Sequence, residues 1–166
     1  MCKYYQLRYR LDGTDHYLIR VSNDSDGVIV EGDGSVAAFG SRADLRAFAE
    51  RLGLALEPDE SGAFDFDSVE NWLGNPVREA IDCNLFLDAW NLIDDVASST
   101  GHLDFGWFSR GADEVYDMLF WGNNLPVVTP PGEQFVPAWS QGQLAELERI
   151  LSDGMRLFRD AVRVKA

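Results

Sequence analysis

Residues 5–21 have the sequence YQLRYRLDGTDHYLIRV, in which large apolar residues alternate with polar or charged ones. Alternation with a period of two residues is typical of a β-strand that has one buried face. The dipeptide Asp12-Gly13 stands between two such runs, and this dipeptide favours the tight turn of a β-hairpin. The segment therefore predicts two antiparallel strands joined at that turn.

Two short apolar runs follow the predicted hairpin, at residues 28–30 and 36–39, with a Gly-Asp-Gly turn between them. We expect these runs to extend the hairpin into an antiparallel meander of four strands. Residues 54–57 are a candidate for a further strand. The N-terminal part, 1–57, is therefore predicted to be strand-rich, with one helix that begins after Ser41, a residue type that caps helices.

The pattern becomes helical after residue 76. Apolar residues spaced by three and four predict a long, mostly buried helix over 81–96. A shorter helix is predicted over 113–121, and a last one begins after Ser140 and continues to Val162. Strands first and helices afterwards indicate that the 166 residues form a single α+β domain, an N-terminal antiparallel β-meander packed against a C-terminal set of α-helices (76–166).

The composition restricts the possible partners. The chain is 46% hydrophobic, which is enough for a folded core, and its net charge is −14. Nucleic acid and anionic membranes would repel such a chain, so we expect it to bind neither and to bind a cationic partner instead. No apolar run approaches the roughly 20 residues that cross a bilayer. Cys2 and Cys83 form no disulfide framework, so we expect a cytoplasmic protein.

The excess negative charge lies in the middle of the chain. Residues 57–95 contain one basic and eleven acidic residues. On the predicted helix, residues spaced i, i+4, i+7 and i+11 form one polar stripe. The residues of this stripe are Asn84, Asp88, Asn91 and Asp95, and Asp94 lies next to them. No Lys or Arg stands between Glu79 and Asp95 to compensate this stripe. The stripe is either a solvated helix face or a partner-binding face, and we take it as the candidate interface.

A proline-rich segment separates the last two predicted helices. Residues 122–139 contain four prolines and are flanked or punctuated by the aromatic residues Trp121, Phe135 and Trp139. Loops of this length are often functional, but aromatic residues can also hold a loop against the surface. Both interpretations stay open, and Asn123 and Asn124 are the exposed candidates for binding.

The sequence contains little that resembles an enzyme. Its two histidines lack metal-ligand spacing, and there is neither a Gly-x-Ser-x-Gly elbow nor a phosphate-binding loop with a lysine. Residues 22–33 match a calcium loop at several positions but have Ser22 at the first and Asp33 at the twelfth. A polar turn between strands explains them better. We therefore expect no catalytic residues, no metal and no cofactor.

Three segments in the C-terminal half have a familiar arrangement: FLDAWNLIDD at 86–95, YDMLFWGNNLP at 116–126 and FVPAW at 135–139. Together they resemble small acidic bacterial immunity proteins of polymorphic-toxin and contact-dependent growth inhibition systems. The resemblance implies a protein that neutralises a cognate toxin by tight binding. It assigns no binding residue to this chain.

The charge is compatible with that expectation on separate grounds. A nuclease toxin has a cationic surface because it must bind phosphates, so an acidic protein can capture and cover it. Two alternatives remain at this point. One is a nucleic-acid mimic that inhibits a DNA-binding protein, and the other is a small metal-dependent enzyme.

Overall fold

The computed structural model describes residues 1–58, 62–102, 105 and 112–165. In chain order its elements are β1 (Lys3–Leu11), β2 (Thr14–Ser22), β3 (Gly27–Val28), β4 (Val36–Phe39), α1 (Arg42–Arg51), β5 (Ala63–Asp65), α2 (Phe66–Gly74), a 3₁₀ turn (Arg78–Ala80), α3 (Cys83–Ser99), α4 (Ala112–Gly122), α5 (Gln141–Ala161) and β6 (Val162–Lys165). The protein is thus of the α+β class, as predicted.

The N-terminal hairpin is confirmed. All nine residues of β1 pair with β2 in antiparallel register, from Lys3 opposite Ser22 to Leu11 opposite Thr14. Asp12 and Gly13 form the turn with φ angles of 54° and 73°. Two successive positive φ angles produce the turn whose twist matches that of paired strands, so Asp-Gly sets the register of the hairpin.

The N-terminal strands pair antiparallel, but the predicted meander is not confirmed in detail, because the whole sheet is mixed. Its order is β5-β1-β2-β4-β6, with β3 also paired to β2. The pairs β1–β5 and β4–β6 are parallel, and β3 is only two residues long. Residues 54–57 contribute one isolated bridge between Leu56 and Tyr4 instead of a strand. The C-terminal β6 was missed because Val162 continues the apolar spacing of α5, although the helix ends one residue earlier.

Helices cover both faces of the sheet. Leu18 and Ile19 are adjacent in β2, and their side chains point to opposite faces because strand side chains alternate. Leu18 belongs to the large core formed with α2, α3, α4 and α5, whereas Ile19 packs with Leu45 and Phe48 of α1 in a smaller cluster. The strand-rich half therefore uses its own helix to cover the face that the C-terminal helices leave open.

Helices α1 and α5 begin where the sequence indicated, whereas α3 begins at Cys83, two residues after the predicted start. The Ser41 side chain accepts a hydrogen bond from the Asp44 N–H at the start of α1, and Ser140 forms a complete capping box with Gln143 at the start of α5. No helix in the described ranges is both long and apolar enough to cross a membrane.

Candidate partner-binding surface

Helix α3 is the element that presents the predicted polar stripe. The Asp82 side chain caps it by accepting the Leu85 N–H at 3.0 Å. Its apolar side is fully buried, with Trp90 and Ile93 at 0% exposure. The opposite side carries Asn84 and Asp88, which are both exposed. The 3.6-residue periodicity that buries one side of a helix exposes the other. The predicted exposure of Asn84 and Asp88 is therefore confirmed.

The rest of the stripe is engaged in contacts within the protein. Asn91 is half-buried, and its Oδ1 accepts a hydrogen bond from the Tyr116 hydroxyl at 2.8 Å. The side chain of Asp95 is only 13% exposed. Two of the four stripe residues therefore help to hold α3 against its neighbours, and the exposed stripe is shorter than predicted.

The interpretation of the stripe as uncompensated was wrong at Asp95. Arg20 of β2 donates from Nε to Asp95 Oδ2 at 3.1 Å and from Nη2 to Asp26 Oδ2 at 3.0 Å. The compensating cation thus comes from a strand 75 residues away. A search restricted to i±4 neighbours on the same helix cannot find such a partner.

Burial is the largest influence on the pKa of the Asp95 carboxyl. Desolvation raises the pKa of this carboxyl to about 6; Arg20 acts in the opposite direction, and the charges of Asp26 and Asp94 add to the increase. Burial outweighs the attraction of one shared guanidinium. Desolvation and the nearby Asp82 also raise the pKa of Asp88, against a lowering influence of Arg20.

Helix α4 places further acidic residues beside α3. Its Tyr116 lies beside Trp90 and Asn91 of α3. Desolvation raises the pKa of the Tyr116 hydroxyl, the hydrogen bond to Asn91 lowers it, and the carboxylates of Asp94 and Asp117 raise it further. The acidic groups of both helices therefore act on one region. We call this region the acidic face, and it comprises Asn84, Asp88, Asn91, Asp94 and Asp117.

The proline-rich segment after α4 is a loop closed by Asn124, which the sequence offered as a binding candidate. Its Nδ2 donates to the carbonyl oxygens of Gly122 and Phe135 at 3.0 and 2.9 Å, and its Oδ1 accepts the Phe135 N–H at 2.6 Å. Its φ angle is 51°. Asn124 is therefore a structural residue. Asn123, like Asn124, is half-buried instead of exposed.

The base of this loop contacts the start of α3. A Cβ added at Gly122 would lie 2.5 Å from Cys83 Sγ and 2.7 Å from Pro137 Cγ, so glycine is required for this close approach. Trp139 is buried at 7% exposure. The loop is thus anchored beside the N-terminal end of the acidic face.

Away from its base the loop exposes apolar side chains. Six of the ten exposed large hydrophobic residues in the described ranges lie within residues 121–136. They are Trp121, Leu125, Val127, Val128, Phe135 and Val136, with Val127 at 95% exposure. We call these six residues the apolar loop. The base of the segment is pinned to the surface, as one interpretation predicted, and its outer apolar residues are exposed. Exposed apolar residues that cluster can mark an interaction site, so the binding interpretation stays a prediction.

The calcium-like residues 22–33 form turns on either side of the short strand β3. Asn23 Oδ1 accepts the Ser25 N–H, Asp26 pairs with Arg20, and Asp33 accepts hydrogen bonds from Ser35. Within residues 1–58, 62–102, 105 and 112–165, no group of three or more His, Cys, Asp or Glu side chains could hold a metal ion.

These elements define an α+β protein with a mixed six-stranded sheet, helices on both faces, and an acidic face next to an apolar loop. The chain matches no known protein family and no curated protein sequence at a significant level. Its structure is similar to the crystal structure of the SatS C-terminal domain in complex with bromine, with a TM-score of 0.57 and 14% sequence identity. The match covers 98% of this chain and 94% of that one. At this identity the similarity shows the fold alone.

Proposed function

We propose that this protein is an immunity protein that neutralises a cognate toxin, a cationic nuclease domain, by tight protein–protein binding in the cytoplasm. The observation that carries the proposal is the placement of the acidic face beside the apolar loop in a chain of net charge −14. The sequence resemblance to toxin-immunity proteins supports the same conclusion.

The acidic face suits the capture of a basic protein. Among the described residues, Asp88 has no ion-pair partner and lies exposed on α3. Helix α4 beside it carries Asp113, Glu114 and Asp117 and no Lys or Arg. Such an unbalanced surface accelerates association with a cationic partner and repels polyanions.

The apolar loop suits the affinity that neutralisation requires. Charge complementarity mainly raises the association rate, whereas desolvated apolar anchors slow dissociation. The hydrogen bonds of Asn124 and four prolines restrict the loop before binding. A restricted loop loses less conformational entropy when it binds.

The experiment begins with the neighbouring gene. We expect it to encode a large secreted protein, and we expect the C-terminal domain of that protein to be toxic and to bind this chain. Co-expression should restore growth of cells that express the domain. A neighbouring domain that binds but is not neutralised would contradict the proposal, and so would binding to several unrelated DNA-binding proteins, which indicates nucleic-acid mimicry.

Asp88→Lys tests the acidic face, with Glu50→Lys as the matched control. Glu50 is an exposed acid on α1, on the other side of the sheet. Both variants change the net charge equally, so a general field effect would slow toxin association equally. We expect Asp88→Lys to lower the association rate about tenfold more than Glu50→Lys at low salt, because it places like charges together. Asp95 is unsuitable for this test, because a lysine there would stand beside Arg20 and destabilise the fold.

A mobility-shift assay with DNA and RNA tests the charge argument directly. At about 0.1 M salt, where screening extends to roughly 10 Å, we expect no complex with either polymer. A stable complex would contradict the inference that the partner is cationic.

A further inference from the structure

A small cavity opens where α3 crosses the sheet, next to the acidic face. Its volume is about 80 Å³, and its wall consists of Leu7, Arg20, Phe64, Asp88, Asn91, Leu92 and Asp95. A water-sized sphere needs about 10–15 Å³ by this measure, so the cavity holds roughly five. The head group of a long side chain fits in this space.

The lining has two kinds of surface. Leu7 and Leu92 are 5% and 2% exposed and form an apolar part together with Phe64. Asp88, Asn91 and Asp95 supply carboxylate and amide oxygens at the polar part. An apolar wall beside hydrogen-bond acceptors suits a side chain with an alkyl stem and a cationic head.

The charges around the cavity do not balance. Arg20 is shared between Asp26 and Asp95, with one nitrogen directed at each carboxylate. Asp88 has no ion-pair partner among the residues that the structure describes. The group of Arg20, Asp26, Asp88 and Asp95 therefore has three negative charges and one positive charge when all four are ionised. Asp82, which also acts on the Asp88 carboxyl, adds to the deficit. A second cation would reduce this repulsion.

We propose that this cavity receives an arginine side chain of the bound partner, with its guanidinium at Asp88 and its stem along Leu7 and Leu92. An arginine fits better than a lysine, since a planar head with five donors can reach several acceptors at once and is less strongly hydrated. Arginine anchors in pockets are frequent among the residues that dominate binding energy. The proposal rests on the proposed function in so far as the partner is a cationic protein.

The test uses agmatine, which is arginine without its α-carboxylate, and cadaverine, which is lysine without its α-carboxylate; both carry two positive charges. Backbone amide shifts of the ¹⁵N-labelled protein are recorded during titration. A fragment of this size is expected to bind with a Kd on the order of 10 mM. We expect saturable shifts in α3, β1, β2 and β5 around the cavity, with agmatine binding more tightly than cadaverine.

Asp88→Asn should weaken agmatine binding about tenfold, because it removes a charge-assisted hydrogen bond. Glu50→Gln removes an exposed carboxylate from α1, on the other side of the sheet, and should leave agmatine binding unchanged. Melting temperatures of both variants, measured beside the wild type, test whether each is folded. The proposal is overturned if agmatine causes no amide shifts around the cavity, or if both variants bind agmatine with equal affinity.

Mg²⁺ and Ca²⁺ are titrated in the same way. Saturable shifts around the cavity with either ion, in the absence of an agmatine response, would assign the cavity to a metal and overturn the proposal. The titrations contain no toxin, so their failure is independent of the failure of the proposed function. A toxin that is neutralised by this protein while agmatine does not bind would refute the arginine pocket alone.

Discussion

Asp95→Asn is expected to stabilise the protein at neutral and alkaline pH, even though it removes one partner of an ion pair. Burial raises the pKa of Asp95 to about 6 despite the contact with Arg20. The ionised carboxyl is therefore less favourable in the folded protein than in the unfolded chain, where its pKa is about 3.9. An asparagine retains an oxygen that can accept the Arg20 hydrogen bond but has no charge to desolvate.

The size of the effect follows from linkage. The pKa of Asp95 differs by about two units between the folded and unfolded states, and each unit corresponds to about 1.4 kcal/mol, so the ionised carboxyl lowers the free energy of unfolding by about 3 kcal/mol. Because the pKa of Asp95 is higher in the folded protein than in the unfolded chain, its contribution to the free energy of unfolding is most favourable below pH 4. That contribution is lost as the pH rises through 6. Asp95→Asn should therefore match the wild type near pH 4 and exceed it by about 3 kcal/mol at pH 8, or by about 6–12 °C in Tm for a chain of this length.

Urea denaturation followed by circular dichroism between pH 4 and pH 8 measures this difference. Asp117→Asn is the matched control, because it removes an exposed carboxylate from α4, and surface changes usually stay within about 0.5 kcal/mol. If Asp95→Asn is less stable than the wild type at pH 8, the Arg20 contact outweighs burial and the reasoning is refuted. A difference that does not vary with pH would refute it equally.

Three further predictions concern the loop and the packing of α5. Asn124→Ala should cost about 1–3 kcal/mol in urea denaturation because three hydrogen bonds are lost, whereas Asn123→Ala should stay within about 0.5 kcal/mol; equal losses would contradict the closing role. Gly154→Ala should cost about 1–3 kcal/mol, because the new Cβ meets a buried ring carbon at 2.9 Å. Gly142→Ala, whose new Cβ would point into open space, should instead raise stability by about 0.5–1 kcal/mol. Val127→Asp should leave Tm unchanged, since the side chain is 95% exposed, and should weaken toxin binding at least tenfold in calorimetry; full affinity would remove the apolar loop from the interface.

Features that depend only on residues close together in the sequence were predictable from it. The Asp12-Gly13 turn, the caps at Ser41 and Ser140, and the exposed side of α3 at Asn84 and Asp88 follow from turn geometry, capping and periodicity. Each of these signals acts over a few residues along the chain. The strand-first, helix-later order likewise indicated the α+β class.

Some local signals were present but could not be interpreted without the fold. The prolines near residues 122–139 excluded regular structure there, but they did not show that Asn124 closes the loop or that Val127 and Val136 stay exposed. The apolar spacing of α5 ran on into β6, so periodicity alone could not locate the change from helix to strand at Val162.

The sequence by itself determined the N-terminal hairpin, the helices α1, α3, α4 and α5, the charge of −14 and the helix on which the exposed carboxylates stand. Only the tertiary structure decided that β5 and β6 pair in parallel at the two ends of the sheet, that Arg20 reaches Asp95, and that the loop base meets Cys83. Periodicity reports which side of an element is buried, but it contains no information about which element covers that side. That choice depends on packing among residues far apart in the chain, and it determines which carboxylates are paired and which remain for a partner.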